Sequence, residues 1–215
     1  MDRLRSSLSE VWEVTRTLEL ELPKAEQAAH FIASAFRSGN KLLIAGNGGS
    51  AADAHHFATE FEGKFQADRR GFPALCLCAN TSFLTAWSND YSFDSIYARQ
   101  IETHGCSGDV FVGISTSGGS EGGYSRNIAI AAARANALGL TTIGLAGKGG
   151  GRLRELADVC LVVDSHTTAR IQEAHAILLH LIVEAFETLI EDTGAPDLSE
   201  SYRERSAQGI WNGRI

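Results

Sequence analysis

The chain has 215 residues and a formal net charge of −7, with 44% hydrophobic and 21% charged residues. This is the make-up of one globular domain with or without an appendage, and the acidic balance speaks against a nucleic-acid binder that works by bulk charge. No apolar run approaches the ~18 residues that span a bilayer, and the charged start MDRLRSSLSEVWEV lacks the apolar centre of an export signal, so a cytoplasmic protein without a membrane partner is expected.

Residues 2–20 and 24–38 read as two helices, with Pro23 at the entry to the second. The pattern then changes. KLLIA (41–45), PALCLCA (73–79), VFVGIS (110–115), TTIGLA (141–146) and VCLVV (159–163) are short and nearly continuously apolar. Runs of that kind are strands buried on both faces. Helical stretches lie between them at 50–65, 81–88, 92–104, 124–138 and 151–157, so the pattern predicts an α/β fold with a parallel sheet between helices. A last amphipathic helix covers 168–191 through Ile171, Ala174, Leu178, Ile182 and Ala185. Residues 1–192 read as a single domain that includes the N-terminal helices. TGAPDLSE reads as a linker, and 193–215 as a C-terminal tail to which the sequence assigns no role.

The four cysteines contain no CxxC pair and read as reduced thiols. Cys76 and Cys78 alternate and are expected on one side of a strand.

The 22 glycines contrast with 3 prolines, and eleven of the 22 gather in three stretches that follow strands: Gly46, Gly48 and Gly49; Gly118, Gly119, Gly122 and Gly123; and Gly147, Gly149, Gly150 and Gly151. Ligands of open parallel sheets bind beyond the carboxyl ends of the strands. The first segment, Gly46-Asn47-Gly48-Gly49-Ser50, leads into a helix, where backbone N–H groups and the helix dipole suit an anion. It is neither GxGxxG nor GxxxxGK[ST], which argues against dinucleotide and P-loop nucleotide binding. The second, Ser115-Thr116-Ser117-Gly118-Gly119-Ser120, offers four hydroxyls as phosphate donors, or as turn and cap groups. The third, Gly147-Lys148-Gly149-Gly150-Gly151, reads as a turn and cap.

Helix 50–65 carries His56 and Glu60 four residues apart on one face. That spacing suits a divalent metal, an acid–base pair or a plain surface hydrogen bond. On the last helix Gln172 and His180 lie about 2.2 turns apart and roughly 80° around the axis, whereas His175 falls roughly 140° from His180. The sequence does not show the two helices meeting.

The segments AGNGGSAADAHHFATEF, NDYSFDSIYARQ, GDVFVGISTSGGS and TARIQEAHAILLH, in this order, resemble the sedoheptulose 7-phosphate isomerases, the phosphoheptose isomerases of the sugar-isomerase (SIS) fold. The resemblance runs from the N-terminal helices to about residue 191. It implies a flavodoxin-like parallel sheet, a homotetramer with active sites between subunits, and catalytic helices contributed by different chains. It also implies an aldose–ketose isomerisation of a small sugar phosphate, the first step towards nucleotide-activated heptose. His56, Glu60, Gln172 and His180 match the family's zinc ligands, one ion per subunit. Asn47, Gly48, Gly49 and Ser50, then Asn89 and Asp90, then Ser115, Thr116, Ser117 and Ser120, match its substrate contacts, with Glu60 and Gln172 shared between metal and substrate. Glu60 is the implied base and His180 the implied acid. His55 falls outside the motif and reads as a surface or supporting residue. Residues 121–126 depart from the family pattern, and Arg126 among them is expected in solvent. Two other readings of the fold are a non-enzymatic adaptor that binds the bacterial replication initiator and an isomerase of another sugar phosphate. The presence of all four metal-type residues favours an isomerase over the adaptor, and the N-G-G-S and H-F-A-x-E segments favour the heptose branch over other sugar phosphates.

Overall fold

Each of the five apolar runs becomes a strand. They are β1 (Leu42–Gly46), β2 (Ala74–Cys76), β3 (Val110–Ser115), β4 (Thr141–Ala146) and β5 (Val159–Val162). All neighbours pair parallel in the order β2-β1-β3-β4-β5. This is the flavodoxin-like order expected. Every residue of β1 and β3 is buried, which explains their unbroken apolar sequence. The computed structural model describes residues 1–120 and 123–191. The tail at 193–215 and residues 121–122 of the atypical loop lie outside the described residues.

The helices are α1 (Asp2–Thr17), α2 (Leu22–Arg37), α3 (Gly49–Glu62), α4 (Thr81–Asp90), α5 (Ile96–His104), α6 (Arg126–Ala137), α7 (Gly151–Leu156) and α8 (Thr168–Glu191). One layer groups α2, α3 and α8, and the other groups α5, α6 and α7. Four rings lock the first layer. Phe36 of α2, Phe61 of α3, Phe72 and Phe186 of α8 pack with centroids 4.9 to 5.7 Å apart. Such contacts between large buried rings tie α3 to α8 well beyond helix propensity.

Several expected boundaries move. The helix over 2–20 ends at Thr17, and Leu18–Glu21 forms a 3-10 turn. Pro23 sits in the first turn of α2, where its missing N–H is no loss, but it forbids one continuous helix. The strand over 73–79 shortens to Ala74–Cys76, a short edge strand. Leu77 still donates to Ile44. Cys78 lies past the strand, buried like Cys76. The helix over 50–65 stops at Glu62, with Gly63 as its cap.

Candidate active site

The strand order makes β1 and β3 neighbours, so the loops that follow them face one another at the carboxyl edge. The loop after β1 is braced from three sides. The Asn47 side chain exchanges two hydrogen bonds with Asn127 of α6, at 2.8 and 3.0 Å. The Tyr97 hydroxyl donates to the Gly46 carbonyl at 2.5 Å. Cys78 Sγ meets both the N–H and the carbonyl of Gly46, at 3.4 and 3.3 Å. The hydrogen bond from the Cys76 thiol pulls the Cys78 thiol below its ordinary value, against burial, which pushes it up. Sequence reasoning missed Asn127 and Tyr97. Asn127 left a faint signal, a polar residue opening an Ala/Ile-rich helix.

Of the four hydroxyls at and beyond the end of β3, Ser115, the last strand residue, is buried and turns to the loop itself. Its Oγ lies 3.3 Å from both the N–H and the hydroxyl of Ser117. Thr116 and Ser117 are partly exposed and Ser120 is exposed. The third glycine segment supports this loop, as the turn-and-cap reading expects. Arg152 and Leu153, in the first turn of α7, donate to the carbonyls of Gly119 and Gly118 at 2.9 and 2.8 Å. A Cβ on Gly118 would stand 1.8 Å from the Gly150 carbonyl oxygen, so only glycine lets the two backbones come this close.

The metal-type residues converge inside one chain. His56 Nε2 lies 2.9 Å from Glu60 Oε1 and 3.2 Å from His180 Nε2. Ligand atoms of the three side chains all fall within 4.8 Å of one another. The expectation that α3 and α8 bring these residues from different chains is therefore corrected: the ring cluster packs both helices in the same subunit. Phe65 stacks on His180 at 5.5 Å and fixes its ring plane, a support with no sequence signal. Two imidazole nitrogens and a carboxylate oxygen form a donor set that fits a divalent transition metal.

Gln172 is placed by a close approach. A Cβ on Gly49 would stand 2.2 Å from Gln172 Nε2, so the amide lies directly against the first turn of α3. Gln172 thus joins α8, the helix of His180, to the start of α3 beyond the loop after β1. Asn89 and Asp90 stand at the exposed end of α4, hydrogen-bonded to each other at 2.9 Å. His55 is exposed, as expected. Arg126 forms a surface ion pair with Asp94 at 3.2 Å. His175 is fully buried on α8, and burial pushes it down to about 4 against a smaller opposing pull from the backbone of Ala146. Asp53, one turn before His56 on α3, is raised by burial and lowered less by His56.

The SIS domain family matches residues 7–147, which places the chain among SIS-domain proteins. A phosphoheptose isomerase of Geobacter sp. (strain M21) is 45% identical over 188 residues, 87% of this chain and 95% of its own length. One from Crocosphaera subtropica is 50% identical over 162 residues, 75% of this chain and 80% of its own length. The structure of phosphoheptose isomerase GmhA from Neisseria gonorrhoeae superposes with a TM-score of 0.80 at 36% identity, covering 87% of this chain and 98% of that one. The chain belongs to the phosphoheptose isomerase family.

Proposed function

We propose that this protein converts sedoheptulose 7-phosphate to D-glycero-D-manno-heptose 7-phosphate through a cis-enediol, the first step of nucleotide-activated heptose biosynthesis. The observation that carries this reading is the convergence of His56, Glu60 and His180 within 4.8 Å. The names of relatives that share most of the chain support it.

Aldose–ketose exchange requires a base beside the carbonyl carbon and a group that moves a proton between the two oxygens. Glu60 is assigned as the base. One of its carboxylate oxygens meets His56, and the second is assigned to take the proton from one carbon and return it to its neighbour. His180 is assigned as the acid that serves the oxygens. The sugar chain is held by Asn47, Gly48, Gly49 and Ser50, with Asn89 and Asp90 closing from α4. The phosphate is held by hydroxyl and N–H groups of Thr116, Ser117 and Ser120, on a loop that Ser115 shapes. Such donors need no basic surface, in keeping with the acidic chain.

We assign zinc, one ion per subunit, to His56, Glu60, Gln172 and His180. Bound there, zinc supplies polarisation of the sugar oxygens and stabilises enediolate charge. The active assembly is proposed as a cytoplasmic homotetramer, residues 1–192 forming one domain of each subunit. The exposed stripe of Leu4, Leu8 and Trp12 along α1 supports assembly. Among the described residues, no helix is long and apolar enough to cross a membrane.

The test is isomerisation of sedoheptulose 7-phosphate by purified protein, with and without a chelator. Absence of turnover by folded, zinc-loaded protein rejects the reading.

A further inference from the structure

The chemistry above uses the side chain of Glu60, but the backbone of Glu60 is held by a separate buried device. Helix α3 ends at Glu62, two residues beyond it, and the last carbonyls of a helix lack helical donors. Arg69, on the following loop, supplies them. Its Nη2 donates to the Glu60 carbonyl at 2.6 Å, and its Nη1 to the Phe61 carbonyl at 3.2 Å. Its Nε donates to Glu187 Oε1 at 2.7 Å. The second Glu187 oxygen accepts the N–H groups of Gln66 and Ala67 at 3.1 and 3.0 Å. The guanidinium also lies over the rings of Phe72 and Phe186, at 5.4 and 5.6 Å. Glu187 sits on α8, seven positions and about two turns beyond His180.

The two charged side chains are only 7% and 6% exposed. A buried ion pair is a poor source of stability, because desolvation takes back most of the attraction and apolar residues of like volume often serve better. It brings direction instead. The planar guanidinium fork aims donors at two carbonyls and a carboxylate at once, a geometry that neither lysine nor leucine reproduces. One end of the device grips the backbone of the residue assigned as base, and the other is rooted on the helix that carries His180.

We propose that Arg69 and Glu187 form a positioning pair that holds α3 in register against α8, so that His56 and Glu60 meet His180 at metal-binding distance. The proposal rests on the metal reading of that trio. Neither residue touches substrate. Metal–ligand distances tolerate about 0.2 Å, so a small slide of α3 along α8 would spoil the site without unfolding the chain.

The experiment is titration of metal-stripped, full-length protein with cobalt(II), read from its ligand-field absorption, with thermal unfolding recorded in parallel. Glu187→Gln keeps the shape and an acceptor for the two N–H groups while removing the charge. The double variant Arg69→Met/Glu187→Leu leaves no buried charge unpaired. Both are expected to bind cobalt about tenfold more weakly with an altered spectrum, the magnitude seen when outer supports of metal ligands are lost. Turnover number should fall by a similar factor, with KM nearly unchanged. A pair that only holds the fold would lower the melting temperature and leave the cobalt affinity and spectrum of the folded protein at parental values, and that result overturns the proposal. Failure of the parent itself to bind cobalt would instead reject the metal assignment, and the positioning role with it.

Discussion

His180 Nε2 lies 3.2 Å from His56 Nε2, across 124 positions of sequence. The same His56 nitrogen stands 2.9 Å from Glu60 Oε1. A single proton on His56 Nε2 serves the carboxylate or the second imidazole well, not both. A divalent cation between the three would accept a lone pair from each at once. The arrangement is therefore better matched to metal binding than to a plain helix-surface hydrogen bond.

Removal of either proton-transfer group tests the assigned roles. Glu60→Gln and His180→Ala are each expected to lower turnover by about a hundredfold or more. Near-parental rates in either variant, measured with zinc in excess, would strip that residue of its role. Chelation should abolish turnover, and added zinc should restore it.

The sheet was legible because its strands are buried on both faces and written as short apolar runs such as VFVGIS. The two loops proposed to hold the sugar phosphate were legible for a related reason: glycine and hydroxyl residues crowd where β1 and β3 end. The meeting of His56 with His180 was not, since helical periodicity says which residues share a face and nothing about which helix that face will meet. The phenylalanines that bring α3 onto α8 read simply as core positions. Asn127 and Arg69 were illegible because their partners, the Asn47 amide and the Glu60 carbonyl, are fixed by tertiary packing alone.

Gly49 tests the placement of Gln172. A Cβ at residue 49 would fall 2.2 Å from Gln172 Nε2, which is the far end of a flexible side chain. Gly49→Ala should therefore cost less than about 1 kcal/mol of stability, since the amide can swing away. Turnover should still drop about tenfold, because the displaced amide no longer reaches the site. Adding Gln172→Ala to Gly49→Ala should cost little more, the mark of two changes acting through one contact. Full additivity of the two losses in kcat would show that Gly49 does not act through Gln172.

Asn127 tests the brace on the loop after β1. It is 1% exposed and shares two hydrogen bonds with Asn47. Asn127→Ala leaves the Asn47 amide without its partner and should cost about 1–3 kcal/mol in thermal or urea unfolding. KM for the sugar phosphate should rise several-fold as the loop loosens. A stability loss with KM unchanged would confine Asn127 to the fold.

His175 gives the folded state a defined pH dependence. Its pKa is about 4 when folded and 6.5 ordinarily, with burial as the main cause. Between those values the unfolded chain binds a proton that the folded chain refuses, so unfolding gains from acid. Stability from this group is fully present above about pH 6.5 and drains away as pH falls towards 4. The shift corresponds to roughly 3 kcal/mol at the bottom of that window. His175→Met keeps an apolar side chain of similar reach and cannot titrate. Urea midpoints measured from pH 7 to pH 4.5 should fall less steeply in this variant than in the parent. The two proteins should therefore differ most at the acidic end. Parallel slopes would mean that the imidazole finds a proton acceptor in the folded state and is not held neutral by its burial.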